Sequence, residues 1–330
     1  MNWDMVGHDW AIQLLSDHIA KGRTRHAYLF TGPHGVGKRT LALRFFQAIN
    51  CLEPPSPGRF CHSCSSCIRI SKGQHPDLDV LQAEQEGGTL KVDQIRSLHR
   101  NLSLTPYEAR TRMALLLRFE EANPSASNAL LKTLEEPSPH VVLVLTAVSP
   151  ESLLPTIVSR CEVLRLGPAS LPAVSDYLQK HKGVSSEQAM LLAHLSAGRV
   201  GYACKLHTDP DKLAQRQAWL DEHFQLLTSG RVKRFSYAES LGKDKDVARQ
   251  VLELWLAYWR DIMLRTSGAS APLINSDRVA EIEDLSGKLD IISASETVKS
   301  LERTITHLEN NINPRVALEV LLLDLPGLSH

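Results

Sequence analysis

The first half of the chain alternates compact apolar runs with helical stripes. His26-Ala27-Tyr28-Leu29-Phe30-Thr31 is an apolar run of strand length, and Met113–Leu117, Val141–Thr146 and Val163–Leu166 are three more. Such runs, bounded by turn signals, suit strands buried on both faces; their alternation with helical patterns predicts a parallel sheet flanked by helices. Helices are predicted over Lys38–Asn50 and Ser125–Leu134, the second stopped by Glu135-Glu136-Pro137. Another opens at Val92-Asp93-Gln94-Ile95-Arg96, with Ile95, Leu98 and Leu102 on its inner face, and is assigned no chemistry.

Gly167-Pro168 is a natural boundary, and strand-like runs stop there. Residues 171–206 carry short helical patterns, too small for a core of their own. From Thr208 onward, amphipathic patterns such as Val247–Leu264 and Val316–Leu323 predict an all-helical region, with a loop over Ser267–Pro272. The expected fold class is α/β plus all-α, divided as 1–167, 168–207 and 208–330. Trp255, Tyr258 and Trp259 recur at helical spacing, which suits a core or subunit contact better than base stacking.

Charge changes the picture in one respect. Lys+Arg and Asp+Glu both total 37, whereas a protein that grips nucleic acid alone shows a basic excess. Any DNA contact is expected to be local or shared with partners. No apolar run reaches the ~18–20 residues of a membrane helix, and Met1–Trp10 lacks the basic-then-apolar order of a secretory signal. The expected location is the cytoplasm.

Two motifs carry chemistry. Gly32-Pro33-His34-Gly35-Val36-Gly37-Lys38-Arg39-Thr40 has P-loop spacing between a strand and a helix. Gly32, Gly35 and Gly37 let backbone N–H groups close around phosphates at a helix N-terminus, and Lys38 reaches the outer ones. The position after the lysine normally offers a hydroxyl to magnesium, but Arg39 cannot ligate a metal. Thr40 is rotated a further ~100° around the helix. Such a loop is suited to hold phosphate and poorly suited to hold Mg²⁺, so ATP or ADP binding is expected to be weak or absent. The second motif is Cys51, Cys61, Cys64 and Cys67, four of the six cysteines. In a chain without an export signal, this crowding predicts a closed tetrahedral site for a structural Zn²⁺. Reduced thiols in a loop would leave Pro54, Pro55, Pro57 and Gly58 unanchored.

The P-loop, Asn128-Ala129-Leu130-Leu131-Lys132-Thr133-Leu134-Glu135-Glu136-Pro137 and Leu154-Pro155-Thr156-Ile157-Val158-Ser159-Arg160-Cys161 together resemble the clamp-loader branch of AAA+ ATPases. Val6-Gly7-His8 and Asn313-Pro314-Arg315-Val316-Ala317-Leu318-Glu319 extend that resemblance over nearly the whole chain. It implies an AAA+ P-loop domain with a zinc insertion at about 51–67, a helical lid at 168–207 and a helical collar oligomerisation domain at 208–330.

Active members of that family end the strand before the Asn128 helix in an Asp-Glu pair that serves magnesium and the attacking water. An ungapped register puts Leu117 and Arg118 there, and neither can do that work. Glu120 and Glu121 then fall outside the pair and are expected to be solvated, favoured by a nearby helix N-terminus. The family's sensor arginine in the lid has Gly201 in its place, two residues after Arg199. Ser159-Arg160-Cys161, by contrast, matches intact the motif that presents an arginine to a neighbour's ATP. An always-charged planar fork at phosphate suits that role; the simpler alternative is a structural salt bridge. Cys161 is expected to be buried beside the arginine, and Cys204 to lie on an apolar helical face.

The resemblance therefore implies a non-hydrolysing subunit of a bacterial DNA polymerase III clamp loader. Its expected partners are gamma/tau-type motor subunits and the clamp-opening delta subunit; the sliding clamp and primer–template DNA are reached through the assembly. The alternatives are a gamma/tau-type motor, disfavoured by Arg39, Leu117, Arg118 and Gly201, and a helicase loader or recombination factor, which has little reason to combine the cysteine set with Ser159-Arg160-Cys161. His75-Pro76-Asp77 is expected to form a turn.

Overall fold

A computed structural model describes residues 3–84, 88–309 and 312–327, and they divide into two compact units. The first takes in Met1–Tyr177 and Gly198–Tyr202; the second takes in Leu178–Ala197 and Ala203–His330.

In the first unit the elements run α1 (Asp9–Ala20), β1 (Ala27–Thr31), α2 (Lys38–Asn50), α3 (Ser65–Ser71), β2 (Leu78–Leu81), α4 (Val92–Leu102), β3 (Arg112–Leu116), α5 (Pro124–Glu135), β4 (Val141–Ala147), α6 (Pro155–Val158) and β5 (Glu162–Arg165). The five strands form one parallel sheet in the order β2-β3-β4-β1-β5. Every residue of β1, β3 and β4 is buried, as continuous apolar runs demand when helices cover both faces. Tyr28, Phe30 and Leu164 pack against α1 and α2 residues such as Leu15, Leu41 and Phe45 on one face; Leu29, Leu116 and Leu145 meet Ile95, Leu98 and Leu130 on the other. β1 pairs in register with both neighbours, Leu29 lying opposite Leu145 and Val163.

α5 begins as its sequence dictates. The Asn123 side chain accepts a hydrogen bond from the Ala126 N–H at 2.7 Å, and Pro124 occupies the first helical position, where a missing N–H costs nothing.

The remaining helices are α7 (Leu171–Lys182), α8 (Ser186–Leu195), α9 (Val200–Thr208), α10 (Pro210–Leu227), α11 (Arg231–Leu241), α12 (Lys245–Thr266), α13 (Val279–Lys288), α14 (Ile291–Glu309) and α15 (Pro314–Asp324). In the second unit, α12 supplies Trp255, Tyr258 and Trp259 to the core, all buried, so the aromatic stripe is packing and not a stacking platform. His223 and Asp261 are buried with it. Asp261 accepts hydrogen bonds from the N–H groups of Ile274 and Asn275 and from the Asn275 amide, which holds the segment after α12 in place.

Candidate functional site

The phosphate loop runs from the end of β1 to the first residue of α2. Gly37 caps α2 with φ 112°, a conformation that side-chain-bearing residues rarely adopt. Lys38 is 9% exposed, and its amine donates to the carbonyls of Gly32 and, at 3.1 Å, Pro33. Burial pushes its pKa down to about 8, against an upward pull from Glu120. Arg39 and Thr40 are both exposed.

The α9 start lies directly on this loop. The Gly201 N–H donates to the Gly35 carbonyl at 2.8 Å, and a Cβ at Gly201 would stand 2.9 Å from that oxygen. No side chain, an arginine least of all, fits at Gly201 without moving the loop. Arg199, two residues earlier, lies over the Tyr202 ring at 4.6 Å.

Leu117 follows β3 directly and is buried; Arg118 turns the chain in a left-handed conformation at φ 48° and pairs with Glu121 at 2.8 Å. Glu120 departs from expectation. Expected to be solvated together with Glu121, whose side chain is only 15% exposed, it is half-buried, with Oε2 lacking a hydrogen-bond partner among the described residues. Burial raises its pKa, while Lys38 lowers it. The short 3₁₀ turn Phe119–Glu121 makes this possible by burying Phe119 and swinging the next residue inward, a turn that a helix-or-strand reading does not resolve.

Ser159-Arg160-Cys161 sits elsewhere on the sheet. β5 runs parallel to β1 with Tyr28 opposite Glu162 and Thr31 opposite Arg165. Arg160 therefore precedes the end at which β5 begins, whereas the phosphate loop follows the end at which β1 stops. At about 3.3 Å per residue, the paired stretch alone separates the two by roughly 10 Å. Arg160 keeps 35% of its side-chain surface; Nη2 lies 2.8 Å from Glu135 Oε1, and Nη1 donates to the Thr156 carbonyl at 2.9 Å. An ion pair this exposed contributes no more than about 1 kcal/mol to folding, too little to account for the motif as a structural brace. Ser159 is exposed, with its hydroxyl on the Thr156 carbonyl at 3.2 Å. Cys161, expected to be buried beside the arginine, is half-buried, and burial pushes its thiol up to about 12. Cys204 is half-buried as well.

Cys51, Cys61, Cys64 and Cys67 converge, their sulfurs all within 4.8 Å of one another. Zn–S bonds of about 2.3 Å in a tetrahedron would set the sulfurs about 3.8 Å apart, so a small contraction closes the site. Backbone N–H groups already point at three of the sulfurs: Cys61 N at Cys51 Sγ, 3.3 Å; Cys64 N at Cys61 Sγ, 3.2 Å; Cys67 N at Cys64 Sγ, 3.5 Å. Such donors favour thiolates, and the Cys64 amide is the first cause holding the Cys61 pKa near 6, whereas burial raises the pKa of Cys51 and Cys67. This set is able to hold a metal ion. The proline-rich approach has anchors that the sequence did not reveal. The Trp3 indole donates to the Gly58 carbonyl at 3.1 Å, and Ser16 reaches the same oxygen.

His75-Pro76-Asp77 does more than turn. Asp77 is fully buried and accepts from the N–H groups of Tyr107, Glu108 and Ala109 at 2.7–2.9 Å. Burial alone would raise its pKa, but those amides and Arg112 outweigh it and hold the carboxyl below its ordinary value. A further feature, unassigned by sequence, is a groove of about 800 Å³ lined by α4 and α5, with Arg96, His99, Arg100 and Lys132 along it.

A family described as DNA polymerase III, delta subunit, matches residues 7–170, and one described as DNA polymerase III, delta subunit, C terminal, matches residues 210–326. The Bacillus subtilis DNA polymerase III subunit delta′ is 30% identical over 316 residues, covering 94% of this chain and 94% of that one. The Pseudomonas aeruginosa subunit delta′ is 30% identical over 330 residues, 97% and 98% of the two chains. Bacillus subtilis subunit tau is 25% identical over 351 residues, 99% of this chain but 62% of its own.

Proposed function

The chain belongs to the DNA polymerase III delta′ family of clamp-loader subunits, and from that premise we propose that it assists ATP hydrolysis in a neighbouring subunit without performing its own. The observation that carries this reading is the placement of Arg160, which precedes β5 while the phosphate loop follows β1. An arginine there is out of reach of its own loop, and although Glu135 and the Thr156 carbonyl hold it, 35% of its side-chain surface stays open to a neighbour. Bound at a neighbour's triphosphate, its planar fork would meet charge developing on the transferring phosphoryl group.

The chain's own loop fits the passive half of the proposal. Arg39 and Thr40 face solvent, Leu117 and Arg118 stand where carboxylates are needed, and Gly201 replaces a cation that would have nowhere to sit. The recipients of the arginine would be gamma/tau-type motor subunits, with the clamp-opening delta subunit facing this chain across the gap in the ring. The helices from α10 onward would join the collar, and residues 168–207 would form the lid. The sliding clamp and primer–template DNA would be met through the assembly, in the cytoplasm, with Arg96, Arg100 and Lys132 offering a local place for phosphates. The four cysteines would hold one structural Zn²⁺, a closed site without an open coordination position for chemistry.

A second reading, an ATP-hydrolysing subunit of the gamma/tau type, is favoured by one observation: Glu120 is half-buried and electrostatically tied to Lys38. Arg160→Ala tests the first. In a complex assembled with ATP-hydrolysing subunits, it should leave folding intact and slow turnover at one neighbouring site by about 10³-fold or more. Unchanged hydrolysis at every site would rule the role out.

A further inference from the structure

Glu135 has no assigned role, yet two elements converge to set it against Arg160. α5 ends at Glu135, and Ile157 of α6 is packed into the core cluster that holds Leu130 and Leu134 of α5. α6 then delivers Arg160 beside the end of α5, where the carboxylate and the negative end of the helix both favour a cation. The guanidinium is gripped by its two terminal nitrogens, one on Glu135 Oε1 at 2.8 Å and one on the Thr156 carbonyl at 2.9 Å. A guanidinium carries five N–H groups, so these contacts leave three for another partner.

We propose that Glu135 is a positioning residue for the arginine finger, a proposal that rests on the reading of Arg160 given above. Glu135 touches no substrate; it selects one orientation of a long, flexible side chain before the neighbour's triphosphate arrives. The ordering of the arginine is thereby completed in the resting subunit, so it does not add to the barrier of hydrolysis. Thr156 supplies the second fixed point through its backbone, which substitution does not remove.

The test uses complexes assembled from this chain and ATP-hydrolysing clamp-loader subunits, comparing wild type, Glu135→Ala, Glu135→Gln, Arg160→Ala and the Arg160→Ala/Glu135→Ala double variant. Glu135 is half exposed, so each variant should assemble and melt like wild type, checked by gel filtration and thermal unfolding. Glu135→Ala should lower kcat for ATP at that one neighbouring site, read by single-site turnover, about 5- to 30-fold, the range expected when a freed arginine regains its rotamers. KM should not change. Glu135→Gln, which keeps the acceptor oxygen, should recover part of the rate, and the double variant should be no slower than Arg160→Ala alone. Unchanged or faster hydrolysis in Glu135→Ala, or a double variant slower than Arg160→Ala, overturns the proposal while leaving the finger in place. If Arg160→Ala itself hydrolyses normally, the finger reading falls and this inference falls with it.

Discussion

Replacing Arg234 by methionine should cost the second unit about 3–5 kcal/mol. Arg234 is 7% exposed and donates to four carbonyls: Leu226 at 3.0 Å, Leu227 at 3.3 Å, Leu322 at 2.8 Å and Leu325 at 3.0 Å. These oxygens close α10 and α15, whose last carbonyls have no intrahelical partner. Leu226 also receives the Ser229 N–H, but Leu322 has Pro326 four residues on, which has no N–H to give. Methionine retains the apolar stem and removes only the donors. Each charge-assisted bond contributes about 1.5–3 kcal/mol net, and methionine in turn relieves the cost of burying the guanidinium, so the loss comes to about 3–5 kcal/mol. Urea unfolding followed by tryptophan fluorescence suits the measurement, because Trp219, Trp255 and Trp259 all lie in this unit. A loss below 1 kcal/mol would refute the claim that one guanidinium closes two helices.

The remaining expectations concern pH and metal. His223 is buried, with burial and then the Arg234 charge holding its pKa down at about 3. The unfolded chain therefore takes up a proton near pH 6.5 that the folded one refuses. Stability of the second unit should fall by about 1.4 kcal/mol for each unit of pH between 6.5 and about 3, and be unaffected by this group above 6.5. An equally steep acid limb in His223→Phe would contradict this. The protein as purified should carry about one zinc per chain, and releasing it with a thiol-reactive mercurial should lower the melting temperature of the first unit. Well under one zinc, or an unmoved transition, would refute the metal site.

Much of this was legible in the sequence because local chemistry dominated. α2 spans Lys38–Asn50 as predicted, since a glycine-rich start and an apolar stripe fix both its place and its face. α5, four of the five strands, the aromatic stripe of α12 and the convergence of the cysteines followed from period and spacing alone. What escaped was made of long-range contacts. β2 is a four-residue strand at the sheet edge, mostly half-buried, so its sequence carries no continuous apolar run. α1 and α3 were not predicted as elements either. Glu120 was misplaced because its environment depends on a 3₁₀ turn and on a lysine 82 positions away in sequence (120 against 38). Asp77 was reduced to a turn because its partners, the amides at 107–109, are set by folding and not by side-chain type. The Glu135–Arg160 pair likewise joins two motifs that each looked complete alone.

The most direct test is steady-state ATP turnover by the isolated chain with Mg²⁺ in excess. The account predicts no hydrolysis above the uncatalysed background, unchanged in Lys38→Ala. Sustained turnover that disappears in Lys38→Ala would contradict it and identify the chain as a motor.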